Sequence, residues 1–196
     1  MTFNLSFFQK VADNKPKPIT RTWQEFCARL ESPEVRVDKD GALFSPATFD
    51  PAARAKANVV ELSMLALDCD HGNCLADDLP RWRKHGYAFG AYTTHSHKRE
   101  TDSNKNAEER FRLVLPLAAP IPAIYYPALW AWAYHASGEK LDPAARDASR
   151  MFYIPAKASE DAEYFYEVHD GALLDWRELP VVMVSFSPKC TPKCTR

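Results

Sequence analysis

The sequence MLALDCDHG, residues 64–72, joins an apolar run to two aspartates that are one residue apart. Residues i and i+2 of a strand point to the same face, so the carboxylates of Asp68 and Asp70 are expected to lie side by side. Neighbouring carboxylates raise each other's pKa unless a proton or a cation separates them. A single aspartate after a strand often forms a turn instead. Two on one face behind an apolar strand predict a metal or catalytic site.

The rest of the chain predicts one globular domain. It has 196 residues, of which 46% are hydrophobic, and a net charge of −1, so it has no global basic signature for nucleic-acid binding. Its apolar runs are shorter than the roughly 20 residues needed to cross a bilayer. The N-terminus does not match a secretory signal. We therefore expect a cytoplasmic protein without a membrane partner, with a domain over residues 1–184 and a disordered tail over residues 185–196.

Strands and helices alternate along the sequence, which predicts an α/β or α+β sheet domain. Thr22 and Glu25 fit a capping box at the start of a helix. Residues 32–58 are rich in turn formers and predict a loop with a short hairpin. The other predicted elements are a central strand over 58–68, helices over 75–85 and 123–137, and strands over 87–94, 110–117, 151–155 and 164–168.

The segment TTHSHK, residues 93–98, lies at the end of the predicted strand over 87–94. Alternation predicts that His95 and His97 share a face, as Asp68 and Asp70 do. Neutral histidine binds metals, and protonated histidine pairs with phosphate. A polar strand end that enters a loop is the structural alternative. Because the strand of Asp68 and Asp70 also ends in polar residues, we interpret both ends as parts of one site.

Two further clusters add arginines and acids. Arg110 and Arg112 fall on one face of a strand, where they can bind phosphate oxygens or form a solvated surface. Asp142 or Asp147 can supply a third carboxylate, and Arg150 can supply another phosphate contact. The same segment can also be a salt-bridged surface turn. Acids, histidine and arginines together suit nucleotidyl transfer, where two divalent ions about 4 Å apart activate a 3′-hydroxyl and stabilise the leaving pyrophosphate.

The order of these motifs resembles the archaeo-eukaryotic primase (AEP) superfamily, particularly primase-polymerase domains of plasmids, phages and integrated elements. LALDCD resembles its first motif and TTHSH its second, and RFRLVLPL and DASRMFYIP resemble the segments that follow. The resemblance covers about residues 22–180. It implies an RRM-like catalytic sheet packed with an additional α/β unit. It also implies template-directed primer synthesis, and often DNA extension, with Mg²⁺ or Mn²⁺.

The resemblance also implies roles for individual residues. Asp68 and Asp70 would bind metal, with Asp142, or alternatively Asp147, as the third acid. His97, or alternatively His95, would contact the phosphates of the incoming nucleotide. The residues expected to be catalytic are Asp68, Asp70, Asp142 and His97. The residues expected to bind nucleotide are His95, His97, Lys98, Arg110, Arg112 and Arg150. The implied partners are a single-stranded DNA template and NTP or dNTP. A replicative helicase, in trans or in a longer chain, is left open as a further partner.

Three alternatives come from other classes. Asp68 and Asp70 also fit the nucleophile and acid/base of a haloacid-dehalogenase-type phosphatase. His95 and His97 could be the metal-binding pair of a rolling-circle replication nuclease of the HUH type. A non-catalytic domain could bind single strands through aromatic residues such as Trp82, Phe89 and Tyr92.

The five cysteines show no paired framework and predict reduced thiols. Cys190 and Cys194 lie in the predicted tail. A zinc site there is the alternative to disorder.

Overall fold

This computed structural model describes residues 1–70 and 72–180. They contain eleven strands and three α-helices, joined by turns and loops. The strands are β1 (Thr2–Phe8), β2 (Lys17–Thr22), β3 (Glu34–Val35), β4 (Leu43–Ser45), β5 (Ala47–Phe49), β6 (Val59–Cys69), β7 (Phe89–Thr93), β8 (Phe111–Pro122), β9 (Phe152–Tyr153), β10 (Ala156–Lys157) and β11 (Tyr166–His169). The helices are α1 (Trp23–Glu31), α2 (Leu75–Lys84) and α3 (Tyr126–Ala136), with short 3-10 helices at Lys56–Asn58, Pro143–Arg146 and Trp176–Glu178.

A five-stranded antiparallel sheet in the order β11-β7-β8-β6-β5 forms the larger half of the fold. Strand β8 lies between β6 and β7 and runs antiparallel to both. The C-terminal ends of β6 and β7 therefore meet the start of β8 at one edge of the sheet. This is the edge where the polar motifs of the sequence lie.

Strand β6 is the most deeply buried element of this sheet. Every residue from 62 to 69 is buried, which explains why its sequence is continuously apolar rather than alternating. The prediction of a central strand over 58–68 is confirmed. One face meets the N-terminal strands, where the Ser63 hydroxyl donates to the Asn4 carbonyl at 2.7 Å.

A second sheet, in the order β2-β1-β4-β9, packs with α1 against the first. Its hairpin of β1 and β2 lies in a part of the sequence for which we predicted no element. Helix α1 begins at the predicted capping box, in which the Thr22 hydroxyl accepts from the Glu25 amide. The short hairpin expected within residues 32–58 is wrong. Strand β4 pairs with β1 and β9, whereas β5 pairs with β6 in the other sheet.

Helices α2 and α3 and strands β7 and β11 lie where the sequence predicts them. Gly86 and Gly138 follow the two helices with positive φ, the conformation that glycine adopts without strain. Strand β8 runs beyond the predicted end at residue 117, because it resumes pairing with β6 after an irregularity opposite Leu62 and Met64. The mixed α/β fold class is confirmed.

Two expectations concern the chain's ends and its thiols. Cys27, Cys69 and Cys74 are free thiols, as predicted. The predicted domain end at residue 184, the tail over 185–196 and the pair Cys190 and Cys194 lie outside the described residues. Within residues 1–70 and 72–180, none of the helices has the length and apolar character needed to span a bilayer.

Candidate functional site

A cavity at the shared sheet edge brings together most of the predicted site residues. Its wall combines acids, bases and aromatic rings from β6, β7, β8 and the loops around them. The charged and polar side chains that line it include Lys39, Arg54, Asp68, Asp70, Tyr92, His95, Arg110, Arg112, Arg150 and Tyr153. Side chains distant in sequence thus converge on one place, as the sequence analysis expected.

Asp68 is held by a buried arginine on the neighbouring strand. Arg112 stands opposite Asp68 in the register of β6 and β8, and its Nη2 and Nε lie 2.5 and 2.7 Å from Asp68 Oδ1. Its Nη1 donates to the Tyr92 hydroxyl at 2.7 Å and to the Tyr153 carbonyl at 2.9 Å. The guanidinium also faces the ring of Phe152 at 4.9 Å.

This environment fixes the charge of Arg112. Burial opposes the charged form, but the carboxylate of Asp68 and the hydroxyl of Tyr92 outweigh it and raise the pKa of Arg112. The side chains of Arg112 and Asp68 are only 7% and 5% exposed. Arg112 is thus a permanent cation that positions Asp68.

Asp70 lies one residue beyond the strand and is less completely paired. Its Oδ2 is 3.4 Å from Arg110 Nη1, whereas its buried Oδ1 has no hydrogen-bond partner among the described residues. Burial, followed by the charge of Asp68, raises the pKa of Asp70, although Arg110, Arg112 and Lys39 oppose this effect. The site therefore offers an oxygen ligand whose negative charge is not fully balanced.

The candidate third acids differ in where they lie. The Asp142 amide donates to the Asp68 carbonyl at 3.0 Å, which fixes Asp142 beside the strand end. Arg150 Nη2 lies 3.7 Å from Asp142 Oδ2 and 3.8 Å from Asp68 Oδ2, so it bridges the two acids. The Asp147 carboxylate is exposed and accepts from the amide and hydroxyl of Ser149. The geometry favours Asp142 over Asp147.

The two histidines do not share a face, and that expectation is wrong. Strand β7 ends at Thr93, and the following turn is closed by a hydrogen bond from the His97 amide to the Thr94 carbonyl. His95 lines the cavity, and its Nε2 donates to the Arg36 carbonyl at 2.9 Å. His97 lies behind it, where its Nδ1 accepts from the Arg110 amide at 3.0 Å. Strand alternation does not extend into a turn.

Burial lowers the pKa of both His95 and His97, although the hydrogen bond from His95 to the Arg36 carbonyl opposes the effect in that ring. Both rings are therefore neutral at neutral pH. Lys98 lies away from the cavity wall and pairs with Glu163 at 2.9 Å and Glu109 at 3.6 Å. Of the three residues predicted from this segment to bind nucleotide, the structure brings only His95 to the cavity.

Asp68 and Asp70 fit a divalent cation by their chemistry. Hard cations prefer carboxylate oxygens, and Asp70 provides a buried oxygen without a partner. Within residues 1–70 and 72–180, no group of three or more His, Cys, Asp or Glu side chains is arranged to hold a metal ion. The three-acid set expected from the sequence is thus not assembled, since Asp142 faces Arg150 instead.

Lys39 and Arg54 line the cavity, but the sequence analysis did not predict them as site residues. Both come from the turn-rich residues 32–58, where isolated basic residues follow no strand or helix period. Burial lowers the pKa of Lys39, while the charge of Asp70 opposes this effect. The only signal available was the presence of positive charge in a long loop.

The structure weighs against the three alternatives. Trp82, Phe89 and Tyr92 are at most 1% exposed, so the interpretation of them as a strand-binding surface is wrong. A phosphatase nucleophile must be open to substrate, whereas Asp68 is 3% exposed and bound on Oδ1 by Arg112. A nuclease would need His95 and His97 to converge on one ion, and they contact different parts of the backbone.

Comparison with known proteins defines the class of fold. The AEP domain of the primase-polymerase (PrimPol) of cyanophage S-2L has a similar structure, with a TM-score of 0.50 over 88% of this chain and 84% of that chain. The two sequences are 13% identical, so the likeness concerns the fold. The predicted AEP fold is confirmed.

The sequence identifies the family of this chain, whereas the structural likeness concerns only its fold. Residues 5–181 match the VapE N-terminal domain, and the chain belongs to that family. A comparison with curated proteins finds no match.

Proposed function

We propose that this domain is a primase-polymerase that synthesises or extends primers on a single-stranded DNA template during replication of a plasmid, phage or integrated element. The observation that carries this proposal is the cavity at the strand edge, where Asp68 and Asp70 are surrounded by Lys39, Arg110 and Arg150. Paired acids with several nearby cations suit a substrate that carries both metal ions and phosphates. The AEP fold and the VapE N-terminal family support this choice.

Asp68 and Asp70 would hold Mg²⁺ or Mn²⁺, while Asp142, which faces Arg150, would lie beside them as the third acid. Mg²⁺ in nucleotide enzymes is commonly held by one or two carboxylates plus substrate phosphates and waters, so two protein acids suffice to begin a site. When bound, a pair of such ions activates the attacking hydroxyl and neutralises charge on the leaving group. Arg112 would orient Asp68 through its two short contacts.

The cations of the wall would bind the triphosphate. The 3′-oxygen of the primer or first nucleotide forms a bond to the α-phosphorus, the bond from that phosphorus to the bridging oxygen breaks, and pyrophosphate leaves. The hydroxyl proton passes to solvent. Arg110, Arg150 and Lys39 would hold the phosphates in line, which is most of what phosphoryl transfer requires. Neutral His95 already donates its single N–H to the Arg36 carbonyl, so it would shape the cavity wall rather than donate to a phosphate.

Primer synthesis tests the proposal directly. The wild-type protein should incorporate labelled NTP or dNTP on a single-stranded template with Mn²⁺ or Mg²⁺. Asp70→Asn should lower the rate of incorporation about a thousandfold while preserving the side-chain shape. Asp77→Asn is the matched control, because Asp77 is an exposed acid of α2 outside the cavity. Absence of incorporation by the wild-type protein with either metal would contradict the proposal.

The same preparations separate the alternatives. Hydrolysis of a phosphomonoester through a trapped aspartyl intermediate would identify a phosphatase. A covalent tyrosyl-DNA adduct would identify a nuclease. Either product without nucleotide incorporation would replace the proposed function. A replicative helicase, in trans or in a longer chain, stays part of the proposal as a partner.

A further inference from the structure

A groove that carries four cations opens from the cavity. Its basic side chains are Arg54, Lys56, Arg146 and Arg150, and it runs between the 3-10 helices at Lys56–Asn58 and Pro143–Arg146. Arg54 and Arg150 also line the cavity, so the groove and the cavity are continuous. We call this surface the basic groove.

The charge of the basic groove is weakly balanced. Lys56 and Arg146 are exposed and have no ion-pair partner within the described part of the chain. Asp147, the acid on the groove wall, already accepts two hydrogen bonds of 2.9 Å from Ser149. Since the whole chain has a net charge of −1, these cations are a local concentration of positive charge. Such a surface attracts polyanions.

An apolar shelf continues the basic groove beyond Lys56 and Arg146. It is formed mainly by Val60, Pro122, Ile124 and Pro127. Val60 is 49% exposed and Ile124 is 80% exposed, which is unusual for large aliphatic side chains. Cations followed by exposed apolar side chains suit a ligand with both charged and apolar parts.

We propose that the basic groove and the apolar shelf bind a single-stranded nucleic acid, with backbone phosphates on the cations and unpaired bases on the shelf. A duplex would offer the phosphates but keep its base faces stacked, whereas a single strand exposes them. A free nucleotide would fill the cavity, but the groove extends past it. This inference rests on the proposed function for its choice of ligand, since a strand in this groove leads to Asp68 and Asp70.

Strand binding without metal or nucleotide tests the inference. We would titrate the protein into a labelled oligothymidylate and follow its fluorescence anisotropy at several salt concentrations. Lys56→Gln combined with Arg146→Gln should weaken binding about tenfold and reduce the salt slope by about 1.4, because each phosphate contact to a single strand contributes about 0.7. Both side chains are exposed, so the fold should persist.

The matched control is Arg21→Gln combined with Lys84→Gln. It removes the same amount of positive charge, one residue from β2 and one from the end of α2. The end of α2 lies beside β11, where Arg83 pairs with Glu167, and not at the basic groove. This control should leave the salt slope unchanged. Equal effects of the two double variants, or an unchanged slope in the groove variant, would overturn the inference.

Ile124→Ser tests the shelf separately. Single-strand affinity should fall about threefold, the factor that burial of roughly 25 Å² of apolar surface supplies, while the salt slope and duplex affinity stay unchanged. Equal affinity of variant and wild-type protein for the single strand would overturn the role of the shelf.

Titration with dATP completes the test. If the groove variant loses dATP affinity but keeps strand affinity, the groove binds nucleotide and the inference is wrong. If the wild-type protein incorporates nucleotide but the groove variant binds the strand with the wild-type salt slope, the inference about the groove is wrong and the proposed function stands. If the groove variant has a reduced salt slope but the wild-type protein incorporates no nucleotide, the proposed function is wrong and the inference about the groove stands.

Discussion

Two pairs of residues with the same spacing lie at the ends of β6 and β7, the two strands that flank β8, yet their environments differ. Asp68 and Asp70 both line the cavity, whereas of His95 and His97 only His95 does. Strand β6 continues to Cys69, so alternation holds almost to Asp70. Strand β7 stops at Thr93, and the turn after it rotates His97 onto the backbone of Arg110. A spacing of two places side chains together only as far as the strand extends.

The largest expected effect separates the two pairs by activity. Asp68→Asn and Asp70→Asn should each lower the rate of nucleotide incorporation about a thousandfold, because charge stabilisation by bound ions supplies several kcal/mol of the barrier. His97→Ala should lower it less than about threefold, since the ring lies behind the cavity wall and a cavity-remote change costs little of the barrier. Single-turnover kinetics would measure both rates. A large rate loss in His97→Ala alone would reverse the comparison.

Arg112→Met should give the largest loss of stability. It leaves the buried carboxylate of Asp68 without its partner, which costs about 3–5 kcal/mol of the free energy of unfolding. Urea denaturation at neutral pH would measure the loss. Arg150→Met is the control, because Arg150 is 39% exposed and its contacts with the acids are longer, so its loss should stay below about 1 kcal/mol. The double variant Asp68→Asn/Arg112→Met should regain part of the stability, and failure to do so would show that the pair is not coupled.

The two histidines should differ in the kinetic constant that each affects. His95→Ala should raise the KM for nucleotide about threefold, because the ring lines the cavity and its hydrogen bond to the Arg36 carbonyl, worth about 1 kcal/mol, holds that wall in place. His97→Ala should leave KM unchanged but lower the free energy of unfolding by about 1–2 kcal/mol, because the buried Arg110 amide loses its acceptor. Steady-state kinetics and thermal melting would separate these outcomes. The opposite assignment would place His97 at the nucleotide.

The smallest expected effect concerns the ionisation of Asp70. The pKa of Asp70 is raised in the folded state. At a pH between the ordinary aspartate pKa and this raised pKa, the folded state therefore binds more protons than the unfolded state. The free energy of unfolding thus falls as the pH rises through that window. Asp70→Asn should therefore raise the Tm at pH 7 by about 2 °C or less without metal. The difference should vanish at a pH below the ordinary pKa of aspartate. A lower Tm for the variant at pH 7 would show that Asp70 is already balanced.

Much of the fold was predictable because its signals are local. The capping box at Thr22 and the apolar run of β6 predicted their elements directly. The order of strands was not predictable, since β8 enters between β6 and β7 only through pairing over long sequence distances. Strands β4 and β5 are three residues long and separated by one residue, yet they join different sheets.

The site was predictable in its residue types more than in its contacts. Asp68, Asp70, Arg110, Arg112 and Arg150 all reach the cavity as expected. The sequence could not show that Arg112 faces Asp68 rather than phosphate, because that contact depends on the register of two strands 44 residues apart. Contributions from loops, such as Lys39, have no periodic signal at all.

The central claim is that Asp68 and Asp70 form the divalent-cation site at the strand edge. Its most direct test is a titration of the protein and dATP with Mn²⁺, in which the paramagnetic resonance signal of free Mn²⁺ reports binding. The wild-type protein and Asp77→Asn should bind Mn²⁺, whereas Asp68→Asn and Asp70→Asn should lose at least one bound ion. Equal Mn²⁺ binding by all four proteins would contradict the claim.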